Sequence, residues 1–138
     1  MGLQLGLSIE ERKLLSQSVE RLSGNLDVLV ERFYQYFLQS NEKIEKLFQH
    51  THMDRQRNMF NVAIGVIVTN IENPDFLQIH IDKIIEQHRL YGVNDELIHF
   101  FTSSMGKTLR DIFGSDDPII QPWLKLINAV MNYFMTKI

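Results

Sequence analysis

The chain has no cysteine among its 138 residues. That absence removes disulfides, thiolate-bound zinc or iron and cysteine nucleophiles together, so any metal has to rest on histidine, carboxylate or methionine. A glycine-rich phosphate loop, a G-x-S-x-G elbow and an H-E-x-x-H helix are missing too, and the acids Glu10, Glu11, Asp116 and Asp117 stand at helix starts where capping accounts for them. Hydrolase and nucleotide chemistry therefore have no candidate site. Positive charge is sparse: the net charge is -3, and no run of Lys or Arg reaches the density that nucleic acid or anionic lipid calls for. No stretch approaches the roughly 20 apolar residues of a membrane span. Residues 1–7 lack the basic start of a secretory leader, and Gly6 stands where a myristoylation signal needs Ser or Thr. A cytoplasmic protein with no nucleic-acid or membrane partner is the expectation.

Strand-like alternation, internal repeats and low-complexity linkers are absent as well, and helical periodicity fills the chain. With 44% hydrophobic and 22% charged residues, the length suits one domain over residues 1–138 with a single core. Ser8-Ile9-Glu10-Glu11 forms a capping box ahead of Leu15, Val19 and Leu22, predicting a first helix from about Ser8 to Ser23 that Gly24-Asn25 breaks. Leu26, Leu29, Val30, Phe33, Tyr34, Phe37 and Leu38 mark a second, closed by Ser40-Asn41, and Ile44, Leu47 and Phe48 a short apolar turn. From Asp54 a long helix runs through Gln56, Phe60, Ala63, Ile64, Ile67 and Ile71 to Asn73-Pro74, because the residue before a proline resists helix. The next starts near Asp75 or Phe76. Asn94 or Asp95 caps another through Leu97, Ile98, Phe101, Met105, Leu109 and Ile112, ending at Phe113-Gly114, with Met105 as core filler. Asp116-Asp117-Pro118 opens the last, with Trp123, Ile127, Val130, Met131 and Phe134, where Pro122 fits only in the first turn. The fold class is all-α.

Chemistry concentrates at Ile84-Ile85-Glu86-Gln87-His88-Arg89-Leu90-Tyr91-Gly92-Val93. Leu77, Ile81, Ile84 and Ile85 make one helical face, and His88 falls on it one turn before a glycine suited to a left-handed backbone. Its Nδ1–H is placed to donate to the Ile84 carbonyl one turn back, which leaves Nε2 as the directed electron pair that an iron ligand needs. By spacing alone, a lone histidine on an apolar face is more often a satisfied core or half-exposed residue than a ligand. Tyr34 also faces inward, either as a core aromatic bonded to a backbone carbonyl or as a ligand contact. Gln56 lies one turn ahead of Phe60 on the apolar side, at the helix mouth in solvent or reaching into a pocket. His50 and His52 sit in a polar connection at a spacing that shares no helical face, so neither is given a ligand role.

In order along the chain, Phe33-Tyr34, Leu47-Phe48, Gln56 with Phe60, Asn70-Ile71-Glu72-Asn73 and His88-Arg89-Leu90-Tyr91-Gly92-Val93 resemble a globin. The likeness is to bacterial single-domain haemoglobins and the haem domain of flavohaemoglobins, over roughly Ser8 to Phe134. It implies a globin fold of about six to eight helices around one haem pocket, with haem b as cofactor. It implies His88 as the proximal iron ligand and Phe48 as the phenylalanine wedged against the haem ring. Tyr34 matches the distal tyrosine that hydrogen-bonds the gas ligand, Gln56 the distal helix position and Phe60 the residue one turn on, over the haem. Ile84, Val93 and Phe101 complete the implied cofactor-binding set, and Trp123 matches a tryptophan of the last helix.

Departures from the family pattern shape the expected function. Flavohaemoglobins pair the proximal histidine with a tyrosine on the next helix and a glutamate near the end of the last. Here Ile98 takes the first place and the stretch up to Ile138 holds no glutamate, so a weaker proximal push is expected. The segment between Phe48 and Gln56 is shorter than in many relatives. No flavin or nicotinamide domain is present, so sustained turnover calls for a separate reductase. The implied function is reversible binding of oxygen, nitric oxide or carbon monoxide at a five-coordinate iron, as an oxygen carrier or store or a ligand scavenger, by a monomer or homodimer. His52 is the one rival for the sixth position. The alternatives are nitric oxide dioxygenation with an external electron donor and a sensory or interaction module.

Overall fold

The computed structural model describes residues 2–22 and 26–138. Within them the chain forms seven α-helices and a short 3-10 turn, with no strand. Local signals set most helix starts. Ser8 and Glu11 close the capping box in both directions ahead of α1 (Ile9–Arg21): the Ser8 hydroxyl accepts from the Glu11 amide at 3.1 Å and the Glu11 carboxylate from the Ser8 amide at 2.9 Å. The expected end of this helix at Ser23 and its break at Gly24-Asn25 lie outside the described residues. Next come α2 (Asp27–Gln39) and α3 (Glu42–Phe48), the latter capped by Asn41, whose side chain accepts from the Lys43 amide at 2.8 Å. The His52 ring caps α4 (Met53–Thr69), accepting from the Arg55 amide at 3.3 Å.

Asn73 caps α5 (Pro74–His88), whose first residue is the proline that needs no amide partner. A 3-10 turn (Arg89–Tyr91) follows, and Gly92 ends it at φ 65, the left-handed conformation that glycine adopts without cost. Asn94 caps α6 (Asp95–Phe113) by accepting from the Leu97 amide at 3.0 Å, and α7 (Ile120–Lys137) completes the chain.

Three boundaries differ from expectation. The long helix α4 stops at Thr69 rather than Asn73: the Thr69 hydroxyl donates to the Gly65 carbonyl at 2.7 Å and the Asn70 amide to the Val66 carbonyl at 2.8 Å. Those side chains satisfy late carbonyls and let the backbone turn before the proline is reached. The short apolar turn is a two-turn helix, α3, and Leu47 on it is 45% exposed rather than inward. The last helix opens two residues after Pro118, where the Asp117 carboxylate accepts from the Ile119 amide at 3.0 Å, so Pro122 does fall in its first turn. That amide bond and the Arg21 guanidinium hold the Asp117 carboxyl below its ordinary range.

Helix α6 packs along α2 on one side and α7 on the other; α2 also meets α3 and α4, α1 meets α7 and α4, and α5 lies on α7. The core they enclose includes Leu29, Phe33, Leu77, Ile81, Ile85, Leu109 and Trp123, with Met105 filling it at 2% exposure. Among the described residues one buried side-chain pair is hydrogen-bonded across this apolar frame. The Trp123 indole N–H donates to the Ser18 hydroxyl at 2.8 Å, and that hydroxyl donates on to the Leu15 carbonyl at 2.6 Å, joining α7 to α1. No helix among the described residues is long and apolar enough to cross a membrane.

Ser18→Ala should leave the buried indole N–H without its acceptor and lower the unfolding free energy by about 1–3 kcal/mol, the cost of a stranded buried donor. Urea unfolding checks this. The same substitution in a Trp123→Phe background should cost clearly less, because the stranded donor is gone.

Candidate functional site

Two groups of side chains stand out, one on α2, α3, α4 and α6 and the other at the end of α5. The first is built on the Phe33, Tyr34 and Phe37 face of α2. Phe33 is fully buried, and its ring meets Tyr34, Phe37, Phe60 and Phe101 with centroids 4.9–5.0 Å apart. Phe60 reaches Phe101 at 5.8 Å, and Tyr34 meets Phe60 edge-on at 5.7 Å and Phe48 edge-on at 6.0 Å. These T-shaped contacts set positive ring edges against negative faces and fix orientations as well as burying area.

Inside this aromatic nest Tyr34 is 4% exposed, and its hydroxyl oxygen accepts a hydrogen bond from Gln56 Nε2 at 3.0 Å. The odd inward amide of α4 and the inward phenol of α2 are thus one pair. Burial pushes the Tyr34 phenol up to about 12, with the Gln56 bond and the Arg57 charge pulling the other way. The phenol therefore keeps its proton at neutral pH. Because Gln56 is the donor, that proton is not consumed by the pair and stays free to donate elsewhere.

The second group centres on His88, the final residue of α5. Its Nδ1 lies 2.7 Å from the Ile84 carbonyl, so an N–H sits there, and in the neutral ring Nε2 carries the lone pair. Phe134 of α7 and Tyr91 of the 3-10 turn each stand edge-on to the imidazole, with ring centroids 5.7 Å away. A neutral carbonyl, not a carboxylate, thus takes the ring proton, and Ile98 lies half-buried nearby in sequence on α6.

The residues implied to hold a cofactor fall into these groups as follows. Tyr34, Phe48, Gln56, Phe60 and Phe101 share one cluster, and Ile84 is bonded to His88. Val93 packs on the core without a hydrogen bond or ring contact to either group. Phe48, Gln56, Phe60, Ile84, His88, Val93 and Phe101 are all half-buried, unlike the sealed frame of Leu15, Leu29, Leu77 and Leu109. Half-buried apolar side chains, one phenol with a free proton and one imidazole with a free lone pair fit a flat apolar cofactor whose metal takes a single nitrogen ligand. Among the described residues no group of three or more His, Asp or Glu side chains could hold a metal ion alone. His52 is exposed with its ring engaged at the start of α4, and His50 is exposed too.

Sequence reading missed the roles of Phe33, Tyr91 and Phe134. Phe33 was legible as core, and the aromatic spacing of Phe33 and Phe37 was the available signal for a ring cluster. Phe134 lies 46 residues from His88, and no local pattern announces that contact.

A family model, Globin, matches residues 31–134 of this chain. The chain is 23% identical over 110 residues to a flavohemoprotein of Rhodopirellula baltica, which covers 78% of this chain and 27% of that protein. It is 20% identical over 132 residues to a flavohemoprotein of Bacillus cereus, covering 94% of this chain and 33% of that protein. For a flavohemoprotein of Bordetella pertussis the identity is 24% over 121 residues, covering 85% of this chain and 30% of that protein. The chain therefore spans about a third or less of the length of these relatives. The match covers α2 to α7 nearly whole, including every side chain of the two groups above, and with seven helices and no strand among the described residues it places the chain in the globin family.

Proposed function

We propose that the chain is a b-type haem protein that reversibly binds oxygen or another diatomic gas, nitric oxide or carbon monoxide, with His88 as its one protein ligand to iron. The observation that carries this reading is the 2.7 Å hydrogen bond from His88 Nδ1 to the Ile84 carbonyl, which commits one ring nitrogen as donor and leaves the other as ligand. Haem held by a single imidazole supplies an open coordination position for a small ligand. The chain supplies the surroundings. Phe48, Phe60, Ile84, Val93 and Phe101 offer half-buried apolar surface that excludes water from the cofactor's faces. Tyr34 holds a proton at neutral pH and Gln56 orients the phenol by donating to its oxygen. A phenol so held stabilises a ligand whose outer atom carries partial negative charge, which favours oxygen over carbon monoxide.

A second reading, which the resemblance to flavohaemoglobins implies, is nitric oxide dioxygenation served by a separate reductase. The proximal side favours reversible binding. A carboxylate on the ring proton pushes electron density toward the metal, whereas the Ile84 carbonyl is neutral and Ile98 replaces the family's tyrosine. A globin acting as a sensory module without cofactor is the third class, and it predicts no Soret band after haem supplementation.

Purified protein supplemented with haem should show a Soret band with a five-coordinate ferrous spectrum, and His88→Ala should lose most of its haem. Retention of unchanged imidazole ligation in His88→Ala would sink the ligand assignment.

Stopped-flow release rates test the distal pair. A hydrogen bond to a charged acceptor contributes about 1.5–3 kcal/mol and a factor of ten corresponds to about 1.4, so Tyr34→Phe should speed oxygen release by roughly ten- to a hundredfold. Carbon monoxide release should change far less, and Gln56→Leu should fall between the two for oxygen. Equal oxygen off-rates in all three proteins would contradict the distal reading.

The buried phenol also makes stability depend on alkaline pH. The folded phenol titrates near 12 against an ordinary 10, so above pH 10 the unfolded chain loses its proton first. The stability that comes from keeping the phenol neutral is complete below 10 and is lost as pH rises toward 12. Urea unfolding across that window should show a fall in unfolding free energy that is shallower in Tyr34→Phe.

A further inference from the structure

We propose that Phe134 and Arg89 are positioning residues for the His88 ring, fixing its orientation from the far end of α7; the inference rests on His88 being the metal ligand proposed above. The hydrogen bond to the Ile84 carbonyl anchors one ring nitrogen and leaves the imidazole plane free to tilt about that bond. Two ring edges remove this freedom. Phe134 stands at 79° to the imidazole and Tyr91 at 78°, both with centroids 5.7 Å away. Tyr91 is 60% exposed and sits on the short 3-10 turn, whereas Phe134 is 6% exposed and belongs to the core, so the firmer of the two walls is Phe134.

Phe134 lies in the last turn of α7, where helix carbonyls lack intrahelical partners and the end frays unless something caps it. The cap comes from the residue next to His88. Arg89 donates from Nη1 to the Lys137 carbonyl at 2.9 Å while its Nε bonds the Glu86 carboxylate at 2.7 Å. One guanidinium thus grips the last turn of α5 and the last turn of α7 together, using the fork of donors that only arginine has. A second tie one residue before Phe134 runs parallel: the Tyr133 hydroxyl donates to Asp82 of α5, and the Lys137 ammonium lies over the Tyr133 ring. The end of α7 is therefore held at two points, Tyr133 to Asp82 of α5 and the Lys137 carbonyl to Arg89 just past it, and the ring edge that faces His88 is carried between them.

The test uses the full chain loaded with haem. Two readouts report the ring rather than gas binding: the iron–histidine stretching band in resonance Raman of the ferrous protein, and solvent exchange of the His88 Nδ1 proton by NMR of the diamagnetic carbon monoxide form. Arg89→Ala, an exposed change that leaves the core intact, and Phe134→Ala should each broaden or shift the band and speed proton exchange about two- to tenfold, the range that loss of an aromatic contact gives. Arg89→Lys keeps one donor for the Lys137 carbonyl and should restore much of the wild-type behaviour. Phe134→Leu keeps apolar volume without a ring edge and should resemble Phe134→Ala. Trp123→Phe, which loosens α7 elsewhere, should leave both readouts unchanged. Wild-type readouts in Arg89→Ala and in both Phe134 variants, alongside haem loss in His88→Ala, would overturn the positioning role and leave the ligand assignment standing. Unchanged ligation in His88→Ala would instead overturn the functional reading beneath it.

Discussion

The packing of aromatic rings where α2 crosses α4 and α6 is the constraint from which the rest of the site follows. Phe33 touches Tyr34, Phe37, Phe60 and Phe101, so a single buried ring sets the separation of three helices and the orientation of the residues they carry. In that nest the Tyr34 hydroxyl meets Gln56. A buried phenol without a partner is costly, and the α4 side chain that meets it is the one amide on an otherwise apolar face. The polar geometry of the distal side is thus a consequence of apolar packing.

Among the described residues no charged side chain hydrogen-bonds Tyr34, Gln56 or His88, although the Arg57 charge acts on the Tyr34 phenol. The ion pairs Arg32–Asp111 at 3.1 Å and Lys43–Glu96 at 3.2 Å tie α2 and α3 to α6 across the surface, where such pairs contribute at most about 1 kcal/mol. Inside, the hydrogen-bonding partners are a phenol with an amide in one group and an imidazole with a backbone carbonyl in the other. Neutral donors and acceptors carry no large desolvation cost, so the half-buried surface between the groups can stay apolar.

What was legible in the sequence follows the range over which each interaction acts. The capping box at Ser8, the cap at Asn94 and the left-handed Gly92 are decided within four residues, and all appear where the sequence put them. The His88 bond to Ile84 was readable for the same reason, since a helix fixes the distance from a ring to the carbonyl one turn back. Pro74 marked only an outer limit for α4, and Thr69 and Asn70 ended it earlier by competing for its carbonyls. The inward faces of Tyr34 and Gln56 followed from periodicity, but their pairing across 22 residues depends on how α2 meets α4. The contacts of Phe134 and Lys137 with the His88 region span 46 and 48 residues. Nothing in the local pattern distinguishes Phe134 from any other core aromatic.

Trp123 is the only tryptophan in the chain, and it is buried at the junction of α7 and α1 with its indole bonded to Ser18. Its ultraviolet emission is therefore a signal from one known environment, belonging to the frame rather than to either group of the site. The chain's four phenols divide differently, with Tyr34 and Tyr91 at the two groups, Tyr133 on the tie between α5 and α7 and Tyr36 bonded to Asp111 between α2 and α6. Native fluorescence can thus follow assembly of the α7–α1 junction through one residue, while phenol absorption sums the two groups, the α5–α7 tie and the contact between α2 and α6.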